Sequence, residues 1–167
     1  MSQSVVKRNV FFSQIIAVFI IALLAGSPAF AAPAINKLEK KGLFGWKNGS
    51  TAIHGYDPVA YFTIGKPLKG KKAHTTVWQG ATWKFATAEH QQLFESAPES
   101  YAPQFGGYCA YGVAEGTLVK IDPNSWEIVD GKLYLNFNAK FHKRWQSDRD
   151  GYIERAQQRF STLLGKT

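Results

Sequence analysis

The sequence has a single cysteine, Cys109, so no disulfide can form within the chain and no all-cysteine metal cage can be built. Its one methionine is Met1. Acidic residues number 12 against 20 basic ones, a net charge of +8. No Cys-x-x-Cys is available for thiol–disulfide exchange, no glycine-rich loop matches a phosphate or dinucleotide cradle, and no paired carboxylates suggest glycoside chemistry. No internal repeat and no low-complexity linker stand out, which predicts one domain. Charged residues are 19% and hydrophobic residues 45%, a balance that excludes a disordered or collagen-like chain.

The N-terminus has the layout of an export signal. Lys7 and Arg8 precede an unbroken apolar run, Ile15 to Leu24, then Pro28 and a small-x-small site, Ala29-Phe30-Ala31. No charge falls between Arg8 and Lys37, and the apolar run is shorter than the roughly 20 residues of a membrane span. The expectation is cleavage after Ala31, no permanent membrane anchor, and a periplasmic or secreted product. Without a cysteine at the cleavage site, lipid attachment there is excluded. Removing 31 residues leaves 136, of which 18 are basic and 12 acidic, a net charge of +6. An exported basic protein meets an anionic surface or acidic partner protein rather than nucleic acid.

Three regions are predicted: residues 1–31 as signal, 32–52 as lead-in, and 53–167 as the folded domain. Ala34 to Lys41 reads as weakly helical and Gly42 to Thr51 as loop. Asp57-Pro58 starts a helix, because aspartate accepts the free N–H groups of a first turn and proline suits its first position. His74–Gln79 and Ala81–Ala86 flank a Gln79-Gly80 turn and read as a hairpin. Thr87 caps a helix over Ala88–Ser96, and Pro98 starts a short one reaching Tyr101. Leu118 to Ile121 reads as a strand and Asp122-Pro123-Asn124 as a turn. Trp126–Val129 and Lys132–Phe137, joined by Asp130-Gly131, form a second hairpin. Asn138 caps Ala139–Gln146, and Ile153, Ala156, Phe160, Leu163 and Leu164 mark a final amphipathic helix ended by Gly165. The fold class is α+β: two β-hairpins, several short helices and a C-terminal amphipathic helix.

Gly55-Tyr56-Asp57-Pro58-Val59-Ala60-Tyr61-Phe62, with Thr82 to His90 and Phe94 to Tyr101, resembles a YHS domain. Gly106-Gly107-Tyr108-Cys109-Ala110-Tyr111-Gly112 is similar to exported, free-standing members of that family. The resemblance runs from about Ile53 to Trp145 and implies a hairpin–helix module associated with soft-metal binding. The family's metal-binding form has three cysteines where this chain has Ala60, Ala86 and His90. Two thiolates are thus replaced by methyl groups and the third by an imidazole.

The candidate metal set is therefore Cys109, His54 and His90, a sulfur and two ring nitrogens suited to copper or zinc if the three converge. With Met1 lost in the signal, a methionine axial ligand of a blue-copper site is impossible. Tyr56, Asp57, Tyr61 and Tyr108 form the candidate ligand surface of a metal-free alternative, a small-molecule or protein binding module. Asp57 has two readings, a helix cap or a carboxylate that orients the His54 ring. A cysteine–histidine nucleophile pair is the enzymatic alternative, and no protease-like signature surrounds Cys109.

Overall fold

In a computed structural model of the chain, the described residues are 34–40 and 46–165. The predicted signal, residues 1–31, lies outside them. The described chain is α+β, with three two-stranded antiparallel sheets and six helices.

The two predicted hairpins form. Strand β3, Lys71–Trp78, pairs with β4, Ala81–Phe85, and β5, Asp122–Val129, pairs with β6, Lys132–Asn136. Both turns take two consecutive residues through positive φ: Gln79 and Gly80 at 47° and 69°, Asp130 and Gly131 at 49° and 71°. That is the twist two-residue hairpins need, and it is why each turn ends on glycine. The caps also hold. Asp57 starts α1 (Pro58–Thr63), Thr87 starts α2 (Ala88–Ser96) and Asn138 starts α5 (Ala139–Gln146), each through its side-chain oxygen. Helices α3 (Pro98–Tyr101) and α6 (Arg149–Leu164) lie where proline and apolar periodicity put them.

Four local expectations are corrected. The lead-in is not helical: Leu38–Lys40 is strand β1, paired with β2, Trp46–Asn48, inside the segment expected to be loop. A helix that short cannot sustain itself, and the chain has a better partner. Buried Asn36 donates its backbone N–H to Gly106 O at 2.8 Å and its side-chain amide to Gly107 O at 2.9 Å. Gly106 permits this approach, since a Cβ there would lie 1.8 Å from Ala34 O. Leu118 to Ile121 belongs to no strand; the strand begins at Asp122 and runs through Pro123. Asp122-Pro123-Asn124, expected as a turn, therefore lies within a strand; Gln104 to Gly116, for which no element was expected, contains a tight turn, Gln104–Gly107, followed by helix α4, Ala110–Ala114.

The fourth correction concerns repetition. The chain builds one pattern twice, offset by 51 or 52 residues. A tight turn, Ala52–Gly55, carries Ile53, His54 and Gly55 through positive φ; the Gln104–Gly107 turn does so at Phe105, Gly106 and Gly107. A tyrosine, a cap and a short helix follow each: Tyr56, Asp57 and α1, then Tyr108, Cys109 and α4. The cap's backbone N–H donates to Leu68 O in the first half and to Val119 O in the second. Each hairpin has its register shift at the same place, between Lys71 and Thr75 and between Asp122 and Trp126. Each then ends in a capped helix, α2 or α5. Beyond the repeated Gly-Tyr before each cap, the duplication is faint in the side chains because the two halves bury different residues. Trp83, Phe85 and Phe94 fill the first, and Tyr134, Asn136 and Trp145 hold the corresponding places in the second.

The core has two parts, and the first joins both halves, since Cys109, Ile121, Leu133 and Leu135 pack with Trp83, Phe85 and Phe94. Trp83 and Phe94 stack at 5.0 Å between ring centres in the first, with Phe85 at 5.2 Å from Phe94. In the second, α6 brings Phe160 to 5.8 Å from Phe105 and 6.5 Å from Tyr108. Each fully buried large side chain contributes on the order of 2–3 kcal/mol.

Candidate functional site

The site is built at the caps of the two duplicated helices. Asp57 is fully buried. One carboxylate oxygen accepts the N–H groups of Val59 and Ala60 at 2.9 and 3.3 Å, as a cap should. The other accepts Ala86 N–H at 2.8 Å, which ties helix α1 to the end of β4. It also accepts from His90 Nδ1 at 2.6 Å. On the far side of that ring, Nε2 lies 3.2 Å from Thr63 Oγ1. His90 reaches this place because Thr87 caps α2 at His90 N–H and turns its first helical turn toward α1.

Carboxylate, imidazole and hydroxyl thus stand in the order of a charge-relay set. Their partners within the fold are structural. The Thr63 hydroxyl is bonded back to Val59 O at 3.1 Å. The group fastens α1 to α2. Asp57 orients His90 rather than His54.

Cys109 holds the corresponding position in the second half. Its sulfur accepts Gly112 N–H at 3.3 Å and Phe137 N–H at 3.2 Å, the counterparts of Ala60 and Ala86. Its S–H points to Asn136 Oδ1 at 3.8 Å, and the same oxygen accepts Tyr111 N–H at 3.2 Å. Burial pushes the thiol above its ordinary pKa, against the opposing pull of the Gly112, Phe137 and Tyr111 N–H groups. The thiol is therefore the resting form at neutral pH, so the sulfur is a poor nucleophile.

Beside Cys109 is a cavity of about 260 Å³. Tyr111, Val119, Phe137 and Phe141 give it apolar and aromatic walls, and exposed Glu115 and Thr117 supply the polar groups. Phe141 packs against Tyr111 at 5.2 Å and Phe137 at 5.7 Å, which fixes these rings as a wall. Tyr111 is braced from outside by Tyr152 of α6 at 5.1 Å.

The three candidate metal ligands do not share this space. Among the described residues, no three His, Cys, Asp or Glu side chains are placed to hold a metal ion. His90 has Asp57 and Thr63 at its two ring nitrogens. His54 sits in the tight turn at φ 57°, beside Ile121, with its carbonyl accepting from Lys69 Nζ at 2.6 Å. Burial holds its pKa below the usual imidazole value; Lys69 and Lys120 act in the same direction, and the Ile121 backbone and Asp122 oppose them. Among the described residues the three candidate ligands therefore do not combine into a copper or zinc set.

The candidate ligand surface is also divided. Tyr61 is buried, with its hydroxyl donating to Pro123 O at 3.0 Å, and burial raises its pKa far above a free phenol. Tyr108 is buried against Phe160 at 6.5 Å, and burial pushes it up to about 12. Tyr56 lies under Lys69 Nζ, 4.4 Å from its ring centre. Of the seven residues proposed from sequence, Cys109 alone lines the cavity.

The chain matches no protein-family model, no curated protein and no solved structure. What the site can do therefore has to come from its own chemistry. Phe137, Phe141 and Asn136 were missed as site residues, since each reads as an ordinary strand or helix position. The usable signal was the doubled Gly-Tyr-cap, Gly55-Tyr56-Asp57 and Gly107-Tyr108-Cys109. It places Cys109 where a carboxylate accepts backbone N–H groups.

Proposed function

We propose that the chain is an exported YHS-like binding module whose second half holds a small, mainly apolar molecule in the Cys109 cavity. The observation that carries this is an open 260 Å³ space with three aromatic walls and two polar groups. Ligand sites are commonly of that kind, apolar enclosure with a few polar contacts that fix orientation. The hairpin-and-helix pairing of β3, β4 and α2 supports the YHS-like reading, and the leader-like N-terminus supports export. Binding rather than catalysis is the reading favoured here, because burial raises the thiol pKa and the sulfur is engaged by the Gly112 and Phe137 N–H groups.

The test is titration of purified protein with indene, a flat hydrocarbon small enough for the cavity, followed by amide NMR. Shifts concentrated at Tyr111, Gly112 and Phe137 are expected. Shifts absent from these residues across a saturating titration overturn the reading.

A further inference from the structure

The lead-in is fixed almost to its first described residue. Ile35 is buried in the core, and Asn36 is bonded to Gly106 and Gly107. The Ala34 carbonyl lies close against Gly106. Ala34 and Ile35 also line an open groove of about 230 Å³. Trp78, Pro103 and Phe160 give this groove apolar surface, and Gln104 and Glu99 give it polar groups. Glu99 is the one ionisable side chain among the described residues that line it. It stands exposed on α3 and makes no ion pair among the described residues.

Cleavage after Ala31 makes Ala32 the first residue and its nitrogen an ammonium, two residues before Ala34. Two residues span at most about 7 Å, so the new charge arises beside the groove. Pro33 narrows the choices of the preceding residue, because it disfavours a helical Ala32 and keeps it extended. We propose that the groove seats the chain's own processed N-terminus: the Ala32 ammonium pairs with the Glu99 carboxylate, and Pro33 covers the apolar surface beside it. This rests on the export reading above. Before cleavage the same nitrogen is a neutral amide and brings no charge to Glu99. Removal of the leader thus supplies the cation that fastens the lead-in, and with it the bonds from Asn36 to the Gly106 turn. An ammonium has three donors, and the Gln104 amide offers an acceptor in the same groove as the carboxylate.

The test exports the full chain from a bacterial host and reads its first residue by mass spectrometry. Hydrogen exchange at the Asn36 N–H then reports docking, since that group donates to Gly106 O at 2.8 Å. Transamination of the N-terminus turns the α-amine into a ketone and spares lysine. It should speed exchange at Asn36 by roughly twofold to fivefold, the range of a solvent-exposed ion pair. Glu99→Gln should do the same, and transamination of the Glu99→Gln protein should add nothing. Additive effects, which a Glu99 acting only within α3 would give, overturn this inference alone, as does no effect from either change. Protection that rises with protein concentration marks a second copy in the groove and also overturns it. An exported protein that begins at a residue other than Ala32 overturns it and leaves export standing. A chain that keeps its leader overturns both.

Discussion

Asp57→Asn tests the tie between the first two helices at the cost of one atom. The amide keeps Oδ1, so the caps to Val59 and Ala60 survive. It replaces Oδ2 with an NH₂ that faces the Ala86 N–H at 2.8 Å and the His90 Nδ1 at 2.6 Å. Two hydrogen bonds to a charged acceptor are lost, each contributing about 1.5–3 kcal/mol, and a buried donor is left opposite a donor. The expected destabilisation is about 3–5 kcal/mol, a large share of a total of roughly 5–15 kcal/mol. For a domain of this size that lowers the melting temperature by about 10–20 °C. Urea unfolding followed by tryptophan fluorescence measures it as a lower midpoint with an unchanged slope. Thr63→Val is the comparison. Thr63 is exposed and its loss removes one partner of Nε2, so the expected change is about 1 kcal/mol or less. If Asp57→Asn falls within 1 kcal/mol of wild type, the buried carboxylate is not what joins α1, β4 and α2, and the reasoning fails.

Four further outcomes are expected. Gly106→Ala puts a methyl group on Ala34 O at a φ of 60°, so it should cost about 2–4 kcal/mol and open the amides of Asn36 and Leu38 to hydrogen exchange; protection unchanged at both would refute the docking of the lead-in. Cys109 should react with iodoacetamide at neutral pH more than tenfold slower than a free thiol, and a rate equal to that of unfolded protein would contradict its burial. Because the folded thiol pKa is raised, the unfolded chain loses its proton first as pH rises, so this contribution to stability is complete below the ordinary thiol pKa and disappears through the folded one. Cys109→Ala should flatten that alkaline slope, and an identical slope in the variant would be the contrary result. His54 has the opposite sign: its folded pKa is lowered, its contribution is present above about 6.5 and is lost as pH falls through the folded value. His54→Asn, which tolerates the positive φ, should reduce the acid sensitivity seen in urea midpoints between pH 7 and 5.

The local elements were legible because each is fixed by a few adjacent atoms. Asp57, Thr87 and Asn138 cap whatever follows them, and Asp130-Gly131 turns a chain wherever it occurs. The lead-in was not legible, since the chain leading into Leu38–Lys40 is held through Asn36 by Gly106 and Gly107, about 70 residues away. The candidate site was half legible. Cys109 was picked for its chemistry and does line the cavity, but its grouping with two histidines used residue type alone, and the fold keeps His90 on Asp57. Apart from the repeated Gly-Tyr, the signature of the doubled architecture lies in backbone signs and register shifts. Of the paired positions, Asp57 and Cys109 share an acceptor role while sharing no functional group.

The last helix gives the two halves unequal independence. Tyr152 braces Tyr111, Phe160 covers Phe105 and Tyr108, and Arg159 reaches Ala114 O. The first half has only the four-residue α3 at the equivalent point. A chain cut short before residue 149 can still close its N-terminal hairpin over Trp83 and Phe94, yet it leaves the aromatic wall at Tyr111 unsupported. The order of the Cys109 pocket is thus held from the far end of the polypeptide, and loss of the last helix is expected to loosen that wall before it loosens the first hairpin.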